Sequence, residues 1–303
     1  MKYSKPIIIA EIGGTHIGDM DRAKKLIKLA KSSGANVVKT QKRNPKECVP
    51  INLQNKPHPN QCFSYGKTYL EHREKLELSI EQHAELKKFC EEEIGIIYSS
   101  SVWDITSTKE IVSLKPSIIK IPSACNHRFD MIDYLYKNSQ SQIHISLGMT
   151  TAEERRKLIY YILDKDKTDC ERTVLYHCTS GYPVPFEKLY LKEIENLNNK
   201  FAYYQLPEQT EYQKYKFQVG FSNHGLGIAA DMVAYTLGAS YIECHFIDTR
   251  IFPHTDSAAS LEPQGLEKLV RDLNAIYKAL QSKPEGLDAI EKEQRDKLRQ
   301  STT

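Results

Sequence analysis

Short apolar segments rich in β-branched residues recur eight times along the chain, and this repetition constrains the fold more than any other feature. They cover residues 7–12, 36–41, 96–101, 118–123, 143–148, 173–178, 218–223 and 241–246. Most are separated by an amphipathic stretch of helical period, such as residues 19–34. Strands that alternate with helices pair in parallel, because parallel neighbours need a crossover connection. Eight such units predict an α/β fold of one domain, the closed (β/α)₈ TIM barrel.

An open doubly wound sheet is the alternative arrangement of the same elements. Such a sheet usually carries a GxGxxG phosphate turn after its first strand. Here that turn reads EIGGTHIGD and lacks the spacing, so the closed barrel is favoured.

Composition restricts the classes of partner. The net charge is only +3, and no dense Lys/Arg run with interleaved aromatic residues occurs, so the sequence does not indicate a nucleic-acid partner. No apolar run is long enough to span a membrane, so a membrane is not indicated either. The seven cysteines are scattered and form no CxxC pair, which favours a reduced, cytoplasmic protein.

Two segments exceed ordinary loop length. Residues 42–78 follow the second strand, and loops this long in a compact domain are often functional; we expect this one to lie near the mouth of the barrel. The aromatic-rich residues 201–217 precede the seventh strand. They would lie at the opposite face of a barrel, where we expect a packing or assembly role.

Polar side chains stand at the carboxyl ends of the predicted strands. In a barrel these ends and the following loops form one mouth, where catalytic groups gather. The candidates are Glu11, Lys39, Gln41, Ser99 to Ser101, Lys120, Ser123, Ser146, His177, Thr179, Ser180, Ser222, His224, Glu243 and His245. If the barrel forms, we expect these side chains to converge.

Lys39 and Lys120 lie inside apolar strands. A single lysine of this kind usually extends its ammonium group to water at a strand end. Two at one mouth need partners, and a phosphate together with a carboxylate would supply them. Hydroxyl groups would add further donors, although each serine alone is equally typical of a helix N-cap: Ser123, Ser146, Ser180 and Ser222. Glu11 could serve as a base, a metal ligand or an ion-pair partner of a lysine.

His224 and His245 follow the seventh and eighth strands, which are neighbours in a barrel. Two imidazoles there can hold one divalent ion such as Mn²⁺, Co²⁺ or Zn²⁺, with water or substrate in the other positions. Two hydrogen-bonded histidines without metal are the alternative. Glu243 would face the same side as His245, and Asp256 is an available acid in the next loop.

Several blocks of the sequence resemble the sialic acid synthase family. Residues 7–41 resemble its opening, with an Ala-Glu-x-Gly, a His-x-Gly-Asp and a Val-Lys-x-Gln. Later blocks follow in the family's order: REKLELSIEQHAELKKFC, IIKIPSACN, HISLGMTTAEE, LYHCTSGYPVP and GFSNHGLGIAA with GASYIECHF and DSAASLEP. The resemblance extends from Ile7 to Leu280.

This resemblance implies an enzyme on a (β/α)₈ barrel. Members condense phosphoenolpyruvate with an N-acylhexosamine, such as N-acetylmannosamine, to give a nonulosonic sugar acid and phosphate. They use a divalent metal, typically Mn²⁺, with Mg²⁺ or Co²⁺ as alternatives, and they commonly form homodimers.

The family's functional positions carry over by residue. His224 and His245 match the metal ligands, and Glu11 matches a carboxylate near the reacting carbons. Phosphoenolpyruvate positions fall on Lys39, Lys120, Ser123, Ser146, Ser180 and Ser222, and positions around the sugar and metal fall on Gln41, Tyr182 and Asp256. Beside them, Glu243 is a further catalytic candidate and Thr179 a further substrate-binding one.

The chain departs from the family pattern at several positions. Thr15 stands where the family has an asparagine, and Asn223 where it has an aspartate. Ala124 and Cys125 stand where it has a glycine and often an acidic residue, and His254 and Thr255 where it has Gly-Pro. These changes put the sugar specificity in question. We expect residues 1–283 to form the barrel and residues 284–303 a charged helical tail, without the family's small antifreeze-like domain.

Two other functions stay open on the residues alone. One is a class I aldolase, in which Lys120 or Lys39 forms a Schiff base in the same barrel. The other is a non-catalytic barrel that binds a sugar phosphate, since a fold alone does not establish an activity.

Overall fold

A computed structural model describes residues 3–165, 172–200 and 217–299. Within these ranges eight parallel strands close a barrel in sequence order. They are β1 (Ile7–Gly13), β2 (Val37–Lys42), β3 (Ile97–Val102), β4 (Ile118–Ile121), β5 (Gln142–Ser146), β6 (Thr173–His177), β7 (Gln218–Asn223) and β8 (Tyr241–His245). The predicted barrel is confirmed, and every observed strand end lies within two residues of its predicted position.

Helices surround the barrel and fill the insertion after β2. In the described ranges they are α1 (Met20–Ser32), α2 (Pro45–Cys48), α3 (Ile51–Gln54), α4 (Tyr69–Leu76), α5 (Ile80–Lys88), α6 (Ile105–Ser113), α7 (Phe129–Asn138), α8 (Ala152–Lys165), α9 (Lys192–Lys200), α10 (Ala229–Thr236), α11 (Pro263–Ala279) and α12 (Ala289–Leu298). None of these helices has the length and apolar character needed to span a membrane.

The side chains that fill the barrel change character along its axis. Near the amino ends of the strands, an apolar cluster separate from the main core is formed by Ile9, Val37, Ile118, Val174, Tyr176 and Tyr241. The hydroxyl of Tyr176 shares a 2.9 Å hydrogen bond with His144 Nδ1. This layer closes the bottom of the barrel, so the polar residues nearer the carboxyl ends of the strands line a cavity that opens on one side only.

The insertion after β2 is attached to the rim of the barrel. Helix α4 begins with a capping box, in which Thr68 and Glu71 satisfy each other's backbone amides. The Tyr65 hydroxyl donates a 2.6 Å hydrogen bond to the carbonyl of Pro253 in the loop after β8. The insertion therefore lies beside the mouth, as predicted.

Two other expectations stay predictions. Residues 201–216 of the aromatic-rich segment lie outside the described ranges. The predicted tail, residues 284–303, contains α12, none of whose residues is buried. The boundary between barrel and tail at residue 283 stays a prediction.

Candidate active site

A cavity opens at the carboxyl ends of the strands. Its walls include most of the side chains that the sequence predicts for the site: Glu11, Lys39, Gln41, Ser101, Lys120, Ser123, Ser146, Ser180, Tyr182, Ser222, His224, Glu243 and His245. The predicted convergence is therefore observed, with Ser99, Ser100, His177, Thr179 and Asp256 outside the lining.

Two lysines and two carboxylates form the buried floor of the cavity. Lys39 Nζ pairs with Glu11 Oε2 and donates a 2.7 Å hydrogen bond to Ser101. Lys120 Nζ lies 2.6 Å from Glu243 Oε1, and Lys39 lies 3.7 Å from the same oxygen. The carboxylates thus supply the partners that buried ammonium groups require.

Opposing effects set the ionisation of this floor. Burial alone would raise the pKa of Glu243, but the charges of Lys120 and Lys39 outweigh it and hold that pKa well below its usual range. Burial lowers the pKa of Lys120, and Glu243 opposes this change. Glu243 Oε2 is buried and has no hydrogen-bond partner among the described residues. The floor therefore carries both positive and negative charges, and Glu243 Oε2 can still accept a hydrogen bond from a bound group.

The two imidazoles at the ends of β7 and β8 face each other. Their ring centroids are 5.5 Å apart, and the Tyr182 hydroxyl lies 3.4 Å from His224 Nε2. His224 Nδ1 donates a 2.8 Å hydrogen bond to the carbonyl of Thr179, and His245 Nδ1 lies 3.7 Å from Asp256 Oδ2. Burial and the neighbouring His245 lower the pKa of His224 to about 4, so His224 is a neutral imidazole at physiological pH.

These donors fit a divalent metal with an open coordination sphere. A metal-binding histidine typically has its other ring nitrogen held by a carbonyl or carboxylate, which is the arrangement of His224. His245 Nδ1 makes no hydrogen bond within the described residues, and the nearest carboxylate oxygen, Asp256 Oδ2, is 3.7 Å away. The described residues contain no group of three or more His, Cys, Asp or Glu with metal-binding geometry. His224 and His245 are thus two candidate ligands, fewer than the three that catalytic zinc sites typically provide, and a metal at this position stays a prediction.

Thr179 and Asp256 lie outside the cavity lining and contact the two histidines that line it. The Thr179 hydroxyl donates to the carbonyl of Lys188 at 2.8 Å, so its side chain points away from the cavity and only its carbonyl reaches the site. The expectation of a substrate-binding Thr179 side chain is corrected accordingly. Asp256 stands behind His245.

His177 is also corrected. Its Nε2 bonds to the carbonyl of Leu189 at 2.7 Å, outside the barrel, because the strand period of two turns it away from the cavity.

Two residues at the rim escape the sequence analysis. The Arg43 guanidinium stacks on the Trp103 ring at 3.4 Å and donates a 2.6 Å hydrogen bond to Gln41 Oε1. Gln41 Nε2 in turn donates to Glu11 Oε1 at 2.8 Å. The strand period could have identified both residues, because Trp103 lies two residues after Ser101 and Arg43 two residues after Gln41.

The family departures occupy defined places. The Thr15 hydroxyl donates to the carbonyl of Ile12 at 2.6 Å, Cys125 is buried with its thiol 3.3 Å from the Trp103 carbonyl, and Ala124 lines the cavity. His254 Nδ1 accepts from the backbone amide of Asp256 at 3.2 Å. Of these residues Ala124 lies in the cavity lining, and none belongs to the floor of lysines and carboxylates.

Asn223 belongs to a buried unit behind the two imidazoles. Its Nδ2 donates to Asp231 Oδ2 at 2.8 Å, and the Cys244 thiol lies 3.8 Å from Asp231 Oδ1. Asn223 and Cys244 each immediately precede one of the facing histidines. One carboxyl group on α10 therefore contacts both strands that carry them.

This buried carboxyl predicts a pH-dependent stability. Burial raises the pKa of Asp231 to about 7, so the folded chain holds a proton that the unfolded chain releases near pH 4. The free energy of unfolding should fall by about 4 kcal/mol at most as pH rises between these two values. Asp231→Asn should lack that part of the slope. Denaturant titrations of both proteins at pH 4.5, 5.5, 6.5 and 7.5 measure it, and parallel profiles would contradict the prediction.

Comparison with known proteins then decides the family. The model of the NeuB family matches residues 26–285. The chain belongs to the NeuB family. This confirms the resemblance to sialic acid synthases.

Individual NeuB-type proteins align over most of the chain. The N,N'-diacetyllegionaminic acid synthase of Campylobacter jejuni is 33% identical over 281 residues, covering 91% of this chain and 78% of that protein. The N-acetylneuraminate-9-phosphate synthase of Homo sapiens is 31% identical over 296 residues, covering 97% and 76%. The structure of the N-acetylneuraminic acid synthetase of Leptospira borgpetersenii in complex with citrate has a TM-score of 0.77 at 24% identity, covers 98% of this chain and 94% of that one, and agrees in fold.

Proposed function

We propose that this NeuB-family chain is a phosphoenolpyruvate-dependent synthase that condenses an N-acylhexosamine to a nonulosonic sugar acid and releases phosphate. The observation that carries this proposal is the meeting of two lysines and two facing imidazoles at one cavity mouth. An anionic phosphorylated acid suits the lysines, and a metal-bound aldehyde suits the imidazoles. The relatives described above are named as synthases of nonulosonic acids, which supports the proposal.

The lysine side of the cavity would hold phosphoenolpyruvate. The Lys39 and Lys120 ammonium groups would bind its anionic groups, with hydroxyl donors from Ser123, Ser146, Ser180 and Ser222. When the methylene carbon of phosphoenolpyruvate bonds to the aldehyde carbon, the aldehyde oxygen takes up a proton to become a hydroxyl and positive character develops at C2. Water adds at C2 and loses a proton. The C2–O bond to phosphate then breaks as the new C2 hydroxyl loses its proton to form the ketone. The same ammonium groups stabilise the charge of the departing phosphate.

The imidazole side would hold the aldehyde end of the sugar. His224 and His245 would bind a divalent ion, which we propose to be Mn²⁺ with Mg²⁺ or Co²⁺ as alternatives, and this ion would polarise the aldehyde carbonyl. Tyr182 and Gln41 line this side and would orient the sugar, while Asp256 would act through His245. Glu11, held by Gln41 and Lys39, would take the proton of the attacking water.

Gly148 offers a test of the phosphate site. A Cβ at this position would lie 2.6 Å from Ser123 Oγ and 2.7 Å from both Cys178 Sγ and Ser180 Oγ, so Gly148→Ala should displace these side chains, including the two hydroxyls. We expect the KM for phosphoenolpyruvate to rise about tenfold, which corresponds to one weakened hydrogen bond. Steady-state kinetics measure this. Gly286→Ala, where the added methyl group meets no atom within 4 Å, is the matched control, and an equal KM in both variants would contradict the assignment.

One assay tests the proposed function as a whole. The protein is incubated with phosphoenolpyruvate, Mn²⁺ and a panel of N-acylhexosamines, and phosphate and sugar acid are quantified with and without chelator. Phosphate should appear only with an accepted sugar, in equal amount to the sugar acid, and should stop on chelation. Phosphate release with no sugar, or undiminished release with chelator, would contradict the proposal.

The class I aldolase is the second candidate, because burial lowers the pKa of Lys120, as an amine nucleophile requires. The ion pair between Lys120 and Glu243 works against it by keeping the amine protonated. Borohydride reduction in the presence of pyruvate separates the two, since only the aldolase would yield a covalent adduct on Lys120 or Lys39.

Three finer properties are part of this proposal. The names of the relatives differ in the sugar and in whether the product carries a phosphate, so the comparisons leave the hexosamine open. We propose a cytoplasmic location, in keeping with six cysteines that form no disulfide in the described residues. We also propose a homodimer, which sedimentation can test.

A further inference from the structure

One buried carboxyl group links the two strands that carry the facing histidines. Asp231, on the first turn of α10, is fully buried. Asn223 of β7 and Cys244 of β8 are register partners in the sheet, and the period of two points both side chains outward, toward α10. Asp231 contacts each of them through a different oxygen, at 2.8 Å and 3.8 Å. The carboxyl group thus holds the outer side of the strand pair whose next residues enter the cavity.

Asn223 also fixes the loop that begins with His224. Its Oδ1 accepts a hydrogen bond from the Gly225 amide at 2.8 Å. Its Nδ2 donates to the Gly227 carbonyl at 3.3 Å as well as to Asp231. The asparagine side chain therefore closes a tight turn around His224, and Asp231 ties this turn to α10.

The His245 ring depends on its backbone more than the His224 ring does. The His224 ring is anchored on the Thr179 carbonyl, whereas His245 Nδ1 makes no hydrogen bond within the described residues. The direction of the His245 ring is therefore set by ring packing and by the backbone at the end of β8, where the preceding Cys244 contacts Asp231. Movement of either strand end would change the 5.5 Å separation of the two rings.

We infer that Asp231 is a positioning residue, which sets the relative placement of the His224 and His245 imidazoles from outside the barrel. The inference rests on the proposed function, in which these rings act together on the sugar aldehyde. Asp231 itself takes no part in the chemistry, because it is buried behind the strands and is not among the residues that line the cavity. On the floor, Glu243 is held separately by Lys120. Loss of Asp231 should therefore affect the imidazole side and spare the phosphoenolpyruvate side.

Three variants test this role. Asp231→Ala removes both contacts and should lower kcat by about tenfold, the lower end of the effect of residues that orient metal-binding groups, with the KM for phosphoenolpyruvate unchanged. Asp231→Asn can still accept the hydrogen bond from Asn223 and should recover most of the wild-type rate. The control is Tyr235→Phe on the same helix. It removes a 2.8 Å hydrogen bond to the Ser4 carbonyl, near the amino end of β1, and should leave kcat unchanged.

The imidazoles supply a second readout that needs no substrate. In ¹⁵N-histidine NMR spectra of the folded proteins, assigned with His224→Ala and His245→Ala, the ring resonances of both histidines should shift in Asp231→Ala. They should stay at the wild-type positions in Tyr235→Phe. A role confined to stability would lower the melting temperature without moving these resonances.

Unshifted ring resonances, or a wild-type kcat, in Asp231→Ala would overturn the inference. A rise in the KM for phosphoenolpyruvate as large as the fall in kcat would also overturn it, because the effect would not be confined to the imidazole side. If the wild-type protein gives no product with any sugar, the proposed function fails, and the ring resonances then decide the placement on their own.

Discussion

His245→Ala should abolish sugar-acid formation, with kcat/KM reduced by about a thousandfold or more, while the chain stays folded. The proposed ion has only two protein ligands, so the loss of one removes half of them, and even residues that merely orient a ligand typically contribute 10- to 100-fold. His245 Nδ1 has no hydrogen-bond partner among the described residues, so little else depends on this side chain. Turnover, Mn²⁺ binding by calorimetry and the melting temperature should be measured together.

The matched control is His177→Gln. His177 is also a buried histidine at a strand end, but its ring donates to the Leu189 carbonyl outside the barrel, and a glutamine amide can replace that donor. This variant should bind Mn²⁺ and turn over like wild type. If His245→Ala keeps its metal affinity and loses melting temperature instead, the two facing histidines are a structural pair and the metal proposal is wrong.

Lys120→Met should be nearly as damaging to activity and more damaging to stability. The ammonium group is buried against Glu243 at 2.6 Å, and breaking a buried ion pair typically costs about 3–5 kcal/mol. Lys39 at 3.7 Å should reduce that cost. We expect kcat/KM for phosphoenolpyruvate to fall by about a thousandfold, because the departing phosphate loses a preorganised cation.

A double variant separates these two effects. Lys120→Met combined with Glu243→Gln removes both charges, so the unpaired carboxylate that destabilises the single variant is gone. Stability should recover most of the way to wild type in denaturant titrations, and activity should not recover. Activity that returns together with stability would show that Lys120 serves the fold and not the reaction.

The barrel and its floor followed from the sequence because they depend on periodicity. Eight apolar runs set the strands, and the period of two then placed Lys39, Lys120 and Glu243 on the inner face. The same reasoning failed for Thr179 and His177, where the residue type suggested chemistry but the local backbone turned each side chain away from the cavity. His177 lies one residue out of phase with Tyr176, which faces the interior.

The contacts at the rim could not be predicted in the same way. The strand period relates Arg43 to Gln41, but the stacking of the Arg43 guanidinium on Trp103 joins the ends of two different strands. The Asp231 contact with both Asn223 and Cys244 likewise joins three separate segments.

Anomalous diffraction from crystals grown with Mn²⁺ and phosphoenolpyruvate tests the central claim most directly, namely that one cavity holds both a metal-bound aldehyde site and the phosphate of the second substrate. The account predicts a single manganese peak in contact with His224 and His245, and phosphate density against Lys39 and Lys120 at the same mouth. Manganese bound elsewhere on the chain, or phosphoenolpyruvate bound away from the two lysines, would contradict it.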